Sequence, residues 1–269
     1  MSVTLTAGMR ANLFALQQTT KMMDLTQTRL STGKKVNTAL DDPVNFFKSK
    51  DHYDRATDLA AKKDGMSEGI KTIEAANTGI EAIYDLLAQM KSLASAAKTS
   101  DNTGDLQTQF DTVRTQIANL ADDSNYGGNN LMNGDTISVE FDEDGVHTLT
   151  VGSSTLASTT EGTVANQTIS AGNFDTQTTM ETAISQIDSA VSNLRTEAQK
   201  LASNLSTISI REDFTANMIN TLNTGADKLV LADMNEEGAN MLMLQTRQAL
   251  STTSLSLSSQ AAQAVLRLF

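Results

Sequence analysis

The chain has no cysteine and no tryptophan, and only one proline, three tyrosines and eight phenylalanines in 269 residues. Without cysteine there are no disulfides and no thiol chemistry. The scarcity of aromatics leaves a core built from Leu, Ile, Val, Met and Ala. With a single proline, at position 43, long stretches carry nothing that interrupts a helix. No apolar run approaches the roughly 18 residues that span a bilayer, and residues 1–30 lack the unbroken apolar segment of a secretory signal. The expectation is a soluble chain, or one that leaves the cell by another route. Positive charge is also short, with 20 Lys and Arg against 32 Asp and Glu, a net charge of -12. A phosphate backbone needs a basic face, so nucleic acid is excluded as a partner. The deficit lies in the middle, where residues 101–200 hold three basic and 15 acidic side chains. The two ends are near balance, a layout that suits self-assembly through the ends.

Chemistry-bearing constellations are missing too. His52 and His147 have no clustered Cys, His or carboxylate neighbours of the kind a metal needs. Asp142-Glu143-Asp144-Gly145 lacks EF-hand spacing and the closing Glu, so it reads as a hairpin turn. Asp41-Asp42 precedes the proline, and helix capping explains Asp42 without any acid–base role. No enzyme activity, cofactor or metal is expected.

What is present is heptad patterning. In the C-terminal tail Leu250, Ser254, Leu257, Ala261, Ala264 and Leu268 recur at steps of three and four, and after Glu237 the only charges are Arg247 and Arg267. A helix of this kind has no proper solvent face and should bury itself against a partner. Residues 1–32 supply a second such helix, with Leu5, Met9, Leu13, Leu16, Met23 and Leu30, and with Thr20 and Gln27 at seam positions. It stops at Gly33. From Pro43 to about residue 98 a long helix carries Met66, Ile70, Ile73, Asn77, Ile80, Tyr84 and Leu87 on one stripe. A third helix places Leu106, Phe110, Val113, Ile117 and Leu120 together and ends near 125–130. Residues 137–151 alternate as a hairpin, and to about 175 short strands and loops are expected, forming an exposed knob. A fourth helix keeps the step through Met180, Ile184, Ile187, Val191, Leu194, Ala198, Leu201, Leu205 and Ile208.

The fold class is therefore mainly α: a long antiparallel helical rod with a small β-hairpin region at its tip and paired terminal helices. The expected divisions are an N-terminal helix at 1–32, a linker at 33–42, rod helices at 43–135, a hairpin and loop knob at 136–178, a rod helix at 179–230 and a C-terminal helix at 231–269. Stripes within the rod read as bundle core. Those of the terminal helices, with seams of Ser, Ala, Thr and Gln and too few internal partners, read as polymerising ends.

Arg29-Leu30-Ser31-Thr32-Gly33-Lys34-Lys35-Val36-Asn37-Thr38-Ala39-Leu40-Asp41-Asp42-Pro43 resembles the N-terminal signature of bacterial flagellins. Residues 232–237 and 260–269 resemble the flagellin C-terminal region, so the likeness covers roughly 1–135 and 180–269. It implies a homopolymer, secreted as the extracellular flagellar filament for motility. The terminal helices would form the filament core and the rod its outer layer. It also implies type III export in an unfolded state and contacts with an export chaperone, hook-junction proteins and a cap. In flagellins detected by the vertebrate innate receptor, the segment matching Leu87–Leu93 carries Arg where this chain has Gln89 and Glu where it has Ser92, so weak activation is expected. A hook–filament junction protein or another secreted coiled-coil rod protein is the alternative.

Overall fold

A computed structural model of the chain describes residues 7–152, 157–158, 163–164 and 167–266. Among them are helices α1 (Ala7–Thr32), α2 (Pro43–Ala97), α3 (Thr103–Asp123), α4 (Gln177–Val230) and α5 (Met234–Leu266). Strands β1 (Thr136–Glu140) and β2 (Thr148–Gly152) form an antiparallel hairpin, and β3 (Ala157–Ser158), β4 (Thr163–Val164) and β5 (Gln167–Thr168) form a second small sheet. The fold is mainly helical, as the periodicity requires. The chain divides into two compact units, Arg55–Asn220 and the combination of Met1–Asp54 with Thr221–Phe269.

The unit Arg55–Asn220 is closed by aliphatic layers. Met66, Ile73, Ile80, Leu87 and Ala94 on α2, Phe110 and Ile117 on α3, and Ile187, Leu194, Leu201 and Ile208 on α4 are all buried in one core. Each seven-residue step returns the same helix face, which is why a single stripe per helix suffices. Polar pairs at the edge of the core hold α2 and α4 antiparallel without a slip of register. Ser67 donates to Glu212 at 2.7 Å, and Lys98 meets Glu181 at 3.0 Å. Lys91 and Asp188 form a further pair at the heptad position between. Edge-to-face contact between Phe110 and Phe174, at 5.2 Å, locks α3 to the loop before α4.

The hairpin packs against α2. Val139 and Val151 point inward and are buried. Val139 rests on Gly69, where a Cβ would come within 2.7 Å of the Val139 Cγ2. A glycine inside a helix usually costs stability, and here it makes the slot that seats a strand. Lys62–Glu140 and Arg55–Glu143 ion pairs hold the strand and turn from the α2 side, and Arg211 of α4 lies over the Phe141 ring at 5.3 Å. The turn is closed by the Asp142 carboxylate, which accepts the His147 amide at 3.1 Å and faces its Nδ1 at 2.7 Å. Partial burial opposes ionisation of Asp142, but these bonds outweigh it and hold its pKa below the ordinary value.

Val164 and residues 169–174 lie against α3. Val164, Ile169 and Phe174 are buried, Arg114 donates to the Ile169 carbonyl at 3.1 Å, and the Gly172 amide donates to Asp111 at 2.7 Å. Between α3 and β1 the chain is held by one buried amide side chain. Asn130 Nδ2 donates to the carbonyls of Ala121 and Asp122 at 2.8 and 3.0 Å, and its Oδ1 accepts from the Met132 amide at 2.9 Å.

Candidate assembly surface on the terminal helices

The unit formed by Met1–Asp54 and Thr221–Phe269 is organised by two turns that bond to each other. Gly33, at φ 71, ends α1, and its carbonyl accepts from the Ala232 amide at 2.9 Å. Lys35 donates in turn to the Val230 carbonyl at 2.7 Å, giving a one-residue antiparallel bridge between Lys34 and Leu231. Two carboxylates shape the linker that follows. Asp41 accepts the amides of Thr38 and Asn37 at 2.8 and 3.0 Å, and these bonds, Thr38 first, hold its pKa below the ordinary value. Asp42 accepts the Asn45 amide at 3.0 Å as the cap of α2, which lowers its pKa in the same way. Tyr53 of α2 donates to Asp227 of α4 at 2.5 Å, closing the base of the unit.

From that base α1 and α5 run side by side and antiparallel. Arg29 meets Glu237 at 2.8 Å, and Asn12 meets Ser254 at 3.2 Å; the two contacts are 17 residues apart on both helices, so no residue is skipped. The inward face of α1 carries Met9, Asn12, Leu16, Thr19, Met23, Thr26 and Leu30. That of α5 carries Glu237, Met241, Leu244, Gln248, Ser251, Leu255 and Ser258. Both keep the three/four step, but about half of the positions are polar, so each layer removes little apolar surface from water. Thr19 satisfies its buried hydroxyl on the Ala15 carbonyl at 2.9 Å. Among the described residues the buried Arg29 Nε and Glu237 Oε2 have no hydrogen-bond partner.

A second apolar stripe on each helix faces away from this seam. On α5 it comprises Leu250 and Leu257, 66% and 61% exposed, with Met243 one heptad before and Ala261 and Ala264 after, all exposed. On α1 Phe14, 69% exposed, and Leu25 face outward, with Leu13 and Met22 exposed on opposite flanks. Of the terminal residues singled out from the sequence, Met9, Leu16, Met23 and Leu30 face α5, whereas Leu13, Leu250, Leu257, Ala261 and Ala264 face outward. Leu5 and Leu268 lie outside the described residues. Phe14, Met22, Leu25 and Met243 escaped the sequence reading, although the seven-residue interval from Met243 through Leu250 and Leu257 to Ala264 carries the signal of Met243.

The rod-seam residues fall in the other unit. Ile73, Ile80, Leu87, Phe110, Val113, Ile117, Ile187, Leu194 and Leu201 are buried there, and Ile70, Ile184 and Val191 are half-buried against the same core. Gln89 and Ser92 are exposed on α2. Among the described residues no group of three or more His, Cys, Asp or Glu is placed to hold a metal, and no helix is long and apolar enough to cross a membrane.

Long helices, one unit with a filled core and a helix pair with apolar stripes left open define a helical structural protein with apolar surface still to be covered. Residues 5–136 match the family model of the bacterial flagellin N-terminal helical region. Flagellin FljK of Caulobacter vibrioides is 33% identical over 278 aligned residues, covering 100% of this chain and 98% of that protein. Flagellin of Brucella melitensis is 25% identical, covering 96% and 95%. The crystal structure of Bacillus cereus flagellin aligns at 16% identity with a TM-score of 0.47, covering 56% of this chain and 88% of that one. The chain belongs to the bacterial flagellin family.

Proposed function

We infer that this chain is the structural subunit of an extracellular flagellar filament, a homopolymer in which α1 and α5 of many copies build the core and the helices of residues 55–220 the outer layer. The observation that carries this reading is the pair of outward stripes. Each terminal helix spends one apolar face on its partner and keeps another, and an exposed apolar stripe of this length on a secreted protein calls for a further copy. Export in an unfolded state, with a chaperone, followed by capping and attachment at a hook junction, completes the proposal by family likeness. The test is seeded elongation followed by electron microscopy. Wild-type subunits should extend filament fragments, and a variant with Leu250→Asp and Leu257→Asp should keep its circular dichroism yet fail to extend them. Equal growth by the variant would overturn the reading.

Exposure of Gln89 and Ser92 leaves that stretch of α2 free to meet an innate receptor. Neither side chain supplies the charge of its counterpart in detected flagellins, so signalling in a reporter-cell assay should be weak, and Gln89→Arg with Ser92→Glu should raise it.

A further inference from the structure

Sulfur in this chain is confined to methionine, of which there are 12, with no cysteine and no tryptophan. The methionines differ in environment. Met66, Met90 and Met132 in the unit Arg55–Asn220 are fully buried at 0% exposure, and Met180 is buried beside them. On the terminal helices Met22, Met234 and Met243 are 47%, 47% and 52% exposed, Met243 on the outward stripe of α5 and Met22 on the exposed flank of α1.

Met22 and Met243 do not stand alone. Met23 and Met243 each lie six residues from the Arg29–Glu237 contact, and each lies 11 residues from the Asn12–Ser254 contact. The antiparallel register therefore brings Met22 and Met23 of α1 level with Met241 and Met243 of α5. Four thioethers share one band of the helix pair, two on the seam and two exposed.

We propose that this band makes assembly sensitive to oxidation: peroxide converts Met22 and Met243 of the free subunit to sulfoxides and stops it joining a filament, while a subunit already assembled is protected. The inference rests on the filament reading above. In the chemical step a sulfur lone pair attacks one oxygen of hydrogen peroxide. The O–O bond breaks, an S–O bond forms, and after proton transfer the second oxygen leaves as water. Sulfur is oxidised by two electrons and the peroxide is reduced by two. The product places a strong hydrogen-bond acceptor where an apolar contact face is needed, and a polar group buried without a partner opposes association. Because each subunit would present the altered face to several neighbours, a modest penalty per contact is repeated in the polymer.

The experiment treats purified full-length subunits and assembled filaments in parallel with hydrogen peroxide, maps sulfoxides by peptide mass spectrometry and measures elongation from filament seeds. Met22 and Met243 should oxidise before Met66, Met90 and Met132 in the free subunit and should be protected in the filament. The oxidised subunit should need a roughly tenfold or higher concentration to elongate. Reduction by methionine sulfoxide reductases of both epimer specificities should restore growth. A double variant, Met22→Leu with Met243→Leu, measured against its own untreated growth, should lose none of that growth after peroxide. Undiminished growth of the oxidised wild type, equal oxidation of Met66 and Met22, or inhibition of the double variant as strong as that of the wild type would each overturn the proposal. Failure of untreated wild-type subunits to elongate would instead strike the filament reading on which it rests.

Discussion

The two units of this molecule use the same helical period for opposite ends. In Arg55–Asn220 one stripe per helix is filled by buried apolar side chains and the hairpin covers part of what the helices leave, with Ile210 and Phe214 the large apolar side chains of α4 left exposed. In the terminal unit the seam between α1 and α5 alternates Leu and Met with Asn, Thr, Gln and Ser, and further Leu, Phe and Met remain on the outside. Helix periodicity by itself thus says nothing about whether a face is meant for the same chain or for another copy. The residue sizes on the stripe, and the number of stripes per helix, separate the two cases.

That contrast can be broken by mutation. Leu87→Ala, in the fully buried layer, should cost the free subunit about 2–5 kcal/mol in urea unfolding, because little around it can collapse into the gap. The matching change Leu257→Ala should leave the subunit's unfolding within about 0.5 kcal/mol and act on polymer growth instead. Gly69→Val should cost about 1–3 kcal/mol by driving a side chain into Val139 and lifting the hairpin, seen as faster amide exchange across β1 and β2. Arg29→Ala strands the buried Glu237 carboxylate and should cost about 1–3 kcal/mol, with loss of exchange protection at the start of α5.

The smallest effect expected is a titration. Asp41 and Asp42 have pKa values lowered in the folded chain from an ordinary 3.8, so the stabilisation they give is present above that value and disappears as the pH falls through the lowered folded values. The amides of Thr38 in the linker and Asn45 in the first turn of α2 should therefore lose protection only below about pH 4, with no change on the alkaline side.

Much of the helical architecture is legible in the sequence, because steps of three and four held over Met180 to Ile208 have no other simple solution. The alternation around Val139 is equally plain as a hairpin. Its position along α2 is not, since the deciding residue is Gly69, a lone glycine in a helical pattern that declares a close approach only once the strand is seen on it. The tail poses a subtler difficulty. Leu244, Gln248, Ser251 and Leu255 fit the three/four step as well as Leu250, Ser254, Leu257 and Ala261 do, and periodicity cannot say which set faces α1. The contact of Arg29 with Glu237 and the burial of Leu244 make that choice, the first across more than 200 residues of sequence.

Hydrogen exchange of α1 and α5, compared between free subunit and filament, probes the account most directly. Amides from Met9 to Leu30 and from Met241 to Ser258 should exchange much faster than those of α2 around Ile80 in the free subunit, and should become as slow as those of α2 once assembled. Terminal helices already as protected as α2 in the free subunit, with no gain on assembly, would contradict it.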